Sequence, residues 1–219
     1  MCIRDRKYAI ISVSDKKNID KFAKKLIKNN YTILSTGGTA KFLTSKHIKN
    51  ISISKFTAFE EILEGRVKTL HPKVHAGILA KDQSSISSLK NNTYELIDMV
   101  VVNLYPFEKT IAKKKCSFSL AIENIDIGGP TLLRASAKNH QRVTVLADPL
   151  DYDQVLNEIE NRGNVQPKTR LRLAAKVYSL VSEYDSLITS YLNKFTDRNN
   201  DLMNETISIA AKELSKLRY

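Results

Sequence analysis

From Glu64 to Gly77 the chain reads EGRVKTLHPKVHAG, setting one arginine, two lysines and two histidines between glycines. So many cationic donors in one short segment suit an anionic ligand, although a solvated basic loop is the plainer alternative. Arg66 and Lys68 alternate around Val67, so in an extended segment their side chains share a face, with Thr69 beside them. His71 and His75 stand in an H-x-x-x-H spacing that invites zinc. Pro72 argues against the helix that would bring both rings to one face, and no third ligand stands out. Satisfied or substrate-facing histidines are expected instead.

The other chemistry-bearing residues cluster near glycines or strand ends. SVSDK (12–16) offers the hydroxyls of Ser12 and Ser14 and the amine of Lys16. STGGTA (35–40) places Gly37 and Gly38 where backbone N–H groups and the start of a helix can cradle a phosphate, though a Gly-Gly pair also fits a plain tight turn. Neither a Walker nor a Rossmann glycine pattern is present. VVNLYPF ends with Asn103 and Tyr105, the latter also readable as a partly buried aromatic. In IDIGGPTLLRASAKNH, Asp126 precedes Gly128 and Gly129 at a helix start, where the helix dipole favours its charged form. Arg134 and Lys138 recur four residues apart on one helix face, and Asp126 with Lys138 could handle protons as a pair.

These residues need elements to hold them. Apolar, β-branched runs predict strands at 7–13, 31–36 and 142–147, a short one at ISI (51–53), and the clearest at Met99–Asn103. Amphipathic patterns predict helices at 18–30 and, more briefly, from Thr39; another begins with Pro130, one follows Asp148-Pro149, and a long one runs from about Lys168 to Lys194. IAKKKC (111–116) reads as part of a lysine-faced helix. Alternating strands and helices with short loops imply an α/β fold with a mainly parallel sheet flanked by helices.

At 219 residues, 42% hydrophobic and 26% charged, the chain has the composition of a globular domain with a sizeable core. The formal charge of +12 points to anionic partners. No arginine-rich stripe or aromatic-interleaved basic patch speaks for nucleic acid, and no apolar run is long enough to span a membrane. Cys2 and Cys116 are too few for a disulfide framework or metal cluster, so a reducing cytoplasm is the expected setting. Residues 1–6 match no element and are expected to be a disordered or non-native lead.

Six separated motifs, SVSDK, STGGTA, GRVKTLHPKVHAGIL, VVNLYPF, ENIDIGGPTLLRASAKNH and YDSLI, together resemble the IMP cyclohydrolase domain family of bifunctional purine biosynthesis. The resemblance covers residues 7–195, and residues 196–219 resemble a linker and the opening of a formyltransferase domain whose remainder, with its transformylase activity, is expected to be missing. It implies a methylglyoxal-synthase-like fold and closure of 5-formamidoimidazole-4-carboxamide ribotide (FAICAR) to inosine monophosphate (IMP), without cofactor or metal. By the same resemblance Ser14, Lys16, Thr36, Gly37, Gly38, Thr39, Arg66, Lys68, Thr69, Asn103, Tyr105, Asp126, Ile127 and Gly128 bind substrate. Lys68, Tyr105, Asp126 and Lys138 take the catalytic roles, Lys138 as proton donor or acceptor. The partner implied is a purine nucleotide, with homodimers expected mainly for the longer protein. Methylglyoxal synthase itself and a non-catalytic nucleotide sensor are the competing readings.

Overall fold

A computed structural model describes residues 7–91 and 94–195; the expectations placed on residues 1–6 and 196–219 lie outside them. The chain divides into two compact units, one comprising residues up to Tyr105 with Asp126–Tyr178, the other Pro106–Ile125 with Ser179 onward.

The first unit is built on five parallel strands: β1 (Lys7–Val13), β2 (Tyr31–Ser35), β3 (Ile51–Ser52), β4 (Met99–Asn103) and β5 (Thr144–Leu146), in the order β3-β2-β1-β4-β5. Parallel neighbours require crossover connections, and here helices supply them. They are α1 (Ile19–Lys28), α2 (Gly37–Ser45), the short α3 (Ile53–Thr57), α4 (Pro72–Leu79), α5 (Gln83–Asn91) and α8 (Gly128–Lys138), with α9 (Tyr152–Arg162) following β5. Covered on both faces, β1 and β4 carry continuous apolar runs: Ala9, Ile10, Ile11 and Met99–Val102 are all buried. Phe22 of α1 stacks on Tyr152 of α9 at 4.3 Å between ring centres. The chain winds outward from β1 through β2 and β3, then returns to place β4 on the other side of β1. The carboxyl ends of β1 and β4 therefore flank a topological switch point, where parallel α/β sheets leave a crevice.

The second unit contains α6 (Phe107–Ile111), α7 (Phe118–Glu123) and the later part of α10 (Pro167–Leu192), which belongs to the first unit as far as Tyr178. Its core is aromatic: Phe107 is buried, meeting Tyr191 edge-on at 5.7 Å and Tyr184 at 6.2 Å.

Three expectations are corrected. Helix α6 stops at Ile111, so Lys113, Lys114 and Lys115 are not on a helical face. Pro72 begins α4 at its first position instead of preventing it; the missing proline N–H is one that no first-turn residue uses. Helix α8 starts at Gly128, two residues before Pro130. The α5 helix, in the weakly patterned QSSISSLKN, was not anticipated.

Candidate active site

At the end of β1 the chain turns through Ser14, Asp15 and Lys16. Asn103, the last residue of β4, reaches across the switch point to hold this turn: its Oδ1 accepts from the Ser14 N–H at 2.6 Å, Ser14 Oγ at 2.8 Å and the Asp15 N–H at 3.0 Å. Ser14 Oγ also donates to the Leu104 carbonyl at 2.8 Å. Lys16 folds back, its ammonium donating to the Val13 and Ser14 carbonyls. Burial lowers the Lys16 pKa from its ordinary value, with the Asp15 charge opposing.

Beside it, β2 delivers Thr36, Gly37, Gly38 and Thr39. Gly37 has φ 36°, and beyond the adjoining residues and the helix's own backbone no described atom lies within 4 Å of where a side chain would begin on either glycine, so the first turn of α2 opens onto free space. Orphan N–H groups of that turn point outward with the positive end of the helix. The two threonines face inward instead. Thr39 is buried, its Oγ1 donating to the Val13 carbonyl at 3.0 Å and accepting from the Val13 N–H at 3.1 Å. Thr36 Oγ1 pairs with Ser12 Oγ at 2.8 Å. These side chains fix the backbone of the cradle and leave its glycines to face a ligand.

The basic segment is a tight turn, not an extended strand. Ile62 and Val67 bridge antiparallel, and Leu63, Glu64 and Gly65 all have positive φ. Arg66 is helical in φ and ψ and exposed, whereas Lys68 is half-buried, so the expectation of one shared extended face fails. Thr69 is buried with its Oγ1 against Gly128, where an added Cβ would come within 2.9 Å. That approach joins the basic turn to the start of α8. Asp126 stands there: its Oδ1 accepts from the Gly129 N–H at 2.8 Å, and its Oδ2 would lie 2.5 Å from a Cβ on Gly129. Leu104 lies against the same glycine, linking this corner to the Ser14 turn. Burial raises the Asp126 pKa, opposed by the Gly129 and Tyr105 backbone N–H groups and the nearby Lys68 charge. Desolvation therefore outweighs the helix-dipole effect anticipated from the sequence.

Tyr105 and Ile127 are exposed at this corner, 48% and 60% respectively. Lys138 is not part of it. It ends α8, ten residues after Gly128, or about 15 Å along the axis, and it is exposed. The expected pairing of Asp126 with Lys138, as the two ends of one motif, is corrected: the length of α8 lies between them. Arg134, on the same outer surface, places its guanidinium over the Tyr178 ring at 5.6 Å.

The residues after Lys138 do structural work that sequence reasoning missed. Asn139 Nδ2 donates to the Ile78 and Ala80 carbonyls at 2.7 and 2.9 Å. The Arg142 guanidinium donates to the Gly77, Ile78, Ala80 and Ile97 carbonyls. Together they satisfy the C-terminal carbonyls of α4 and hold it beside α8, keeping Thr69 and Asp126 in register. A donor-rich NHQR immediately after a helix end was the available signal. The histidines do not converge on a metal: His71 caps α4, its Nδ1 accepting from the Lys73 N–H at 3.1 Å. The His75 Nε2 is buried without a hydrogen-bond partner, and burial lowers that ring's pKa. Among the described residues no group of three or more His, Cys, Asp or Glu could hold a metal ion.

Comparison with known proteins meets this geometry from the other side. Residues 18–131 match the family model of the MGS-like domain, and residues 136–219 that of the AICARFT/IMPCHase bienzyme. The chain is 50% identical over 216 residues to the bifunctional purine biosynthesis protein PurH of Ruminiclostridium cellulolyticum, covering 97% of this chain and 41% of that protein. Against the PurH of Thermoanaerobacter sp. it is 47% identical, covering 97% of this chain and 42% of that one. The chain thus spans about two fifths of the length of these relatives. A crystal structure of ForH is also similar, with a TM-score of 0.76 at 32% identity, covering 85% of this chain and 99% of that one. By its parallel sheet, its glycine cradle after β2 and a model match across residues 18–131, the chain belongs to the MGS-like domain family.

Proposed function

We propose that this domain is an IMP cyclohydrolase, closing FAICAR to IMP with loss of water. The observation that carries the reading is the half-buried Asp126 held at the start of α8, where Thr69 of the basic turn packs against Gly128, in the same unit as an open glycine cradle. The likeness to PurH proteins supports the substrate class.

The phosphate rests on the N–H groups of Gly37 and Gly38, with Lys16 and Arg66 supplying charge. Lys68, Thr69 and Asp126, with the backbone at Ile127 and Gly128, line the place where the base lies, and Tyr105 closes its edge. Ring closure joins the carboxamide nitrogen to the formyl carbon, and the formyl oxygen becomes an oxyanion. The Lys68 ammonium stabilises that oxyanion, a contribution of about 3 kcal/mol for one well-placed donor. Asp126 takes a proton from the attacking amide, a task suited to a carboxylate whose pKa burial has raised. The Tyr105 hydroxyl protonates the oxyanion to a carbinol. The C–OH bond then breaks, the hydroxyl leaving as water with the proton that Asp126 took up, while the former formamide N–H gives its proton back to Tyr105 as the C=N bond forms. Lys138 has no place in these steps, because it lies at the far end of α8.

No described helix is long and apolar enough to cross a membrane, and a cytoplasmic setting belongs to the proposal. Homodimerisation of a longer chain belongs to it as well, tested by sedimentation. The deciding assay incubates the folded protein with FAICAR and follows IMP. IMP formation that collapses in Lys68→Ala is expected. No IMP from folded protein, or methylglyoxal released from dihydroxyacetone phosphate instead, overturns the assignment.

A further inference from the structure

We infer that Asn103 is a positioning residue, acting on substrate through the Ser14–Lys16 turn. What the turn binds rests on the reading above; the clamp rests on its own hydrogen bonds. Three donors converge on Asn103 Oδ1, an oxygen with two lone pairs, and Nδ2 donates to the Asp15 carbonyl at 3.0 Å. That oxygen has no acceptor capacity left for a ligand. The bonds span 88 to 90 residues of sequence and cross the switch point from β4 to the end of β1.

The turn is stiffened further downstream, where the Lys17 N–H donates to Asp15 Oδ1 at 2.9 Å. Lys16 projects from between these fixed points, with its ammonium laid over the Val13 and Ser14 carbonyls. Asn103 thereby determines where that ammonium is presented. The resemblance implies that Asn103 binds substrate, and its hydrogen bonds tie it to the turn that carries Ser14 and Lys16.

A double-mutant cycle on the whole chain tests this. Asn103→Ala and Lys16→Ala should each lower kcat/KM about tenfold, chiefly through KM. In the Lys16→Ala background, Asn103→Ala should then cost less than about threefold, because no ammonium remains to be positioned. Reductions that multiply would overturn the inference, since Asn103 would be touching substrate independently. A second readout needs no substrate. Hydrogen exchange at the Ser14 and Asp15 amides should accelerate about tenfold or more in Asn103→Ala. Unchanged exchange would overturn the clamp, whereas a wild-type protein that forms no IMP would overturn only the functional reading. If Asn103→Ala does not fold, Ser14→Ala removes two hydrogen bonds of the turn and repeats the cycle, with the same outcome required.

Discussion

Asp126 accepts a hydrogen bond from the Gly129 N–H at 2.8 Å, yet its burial raises the carboxyl pKa above the ordinary value of 3.8. A group whose pKa is raised on folding contributes stability that is fully present below its unfolded pKa and lost as pH rises through the folded one. Ionised Asp126 therefore costs stability at neutral pH. Asp126→Asn should leave the melting temperature unchanged or higher at pH 7 while lowering kcat by roughly 10²- to 10⁴-fold. Thermal scans beside steady-state assays check both halves, and a variant that keeps its activity would refute the role. The acid limb of kcat/KM should lie above the ordinary carboxylate range and vanish in that variant. Lys68→Ala should lower kcat about 10²- to 10³-fold with little change in melting temperature. The residues of this corner were legible as chemical types; their protonation balance was not, because burial is a property of the fold.

At the scale of elements, the strands and most helices followed from apolar periodicity, since strands covered on both faces need continuous runs such as Met99–Val102. Helix starts were harder to read. Gly128 and Gly129 lie inside α8 because Thr69 and Asp126 occupy the space where a side chain would begin, a constraint imposed by residues distant in sequence or folded back upon them. Gly77 within α4 shows the same kind of constraint: a Cβ there would stand 2.4 Å from the Glu95 carbonyl oxygen. Gly77→Ala should destabilise the fold by about 1–3 kcal/mol in denaturant titration, because backbone must move to admit it. Loss of stability below about 0.5 kcal/mol would show that α4 is free to shift.

Across the whole molecule, a net charge of +12 favours encounter with an anionic substrate. Raising ionic strength from about 0.05 to 0.5 M should lower kcat/KM several-fold, mainly by weakening capture. The acid stability of the fold has its own source. Burial alone would raise Asp148, but hydrogen bonds from Lys176 and the Leu150 N–H, with the charges of Lys176 and Lys17, carry its pKa below 3.8. Its contribution is present above the unfolded pKa and is lost as pH falls through the folded one, so the melting temperature should decline as pH drops below about 4. The most direct measurement of the central claim is a crystal structure of the protein with IMP. The phosphate is expected on the Gly37 and Gly38 N–H groups and the base within hydrogen-bonding reach of both Lys68 and Asp126. A nucleotide bound elsewhere, or one that cannot touch Lys68 and Asp126 together, would contradict it.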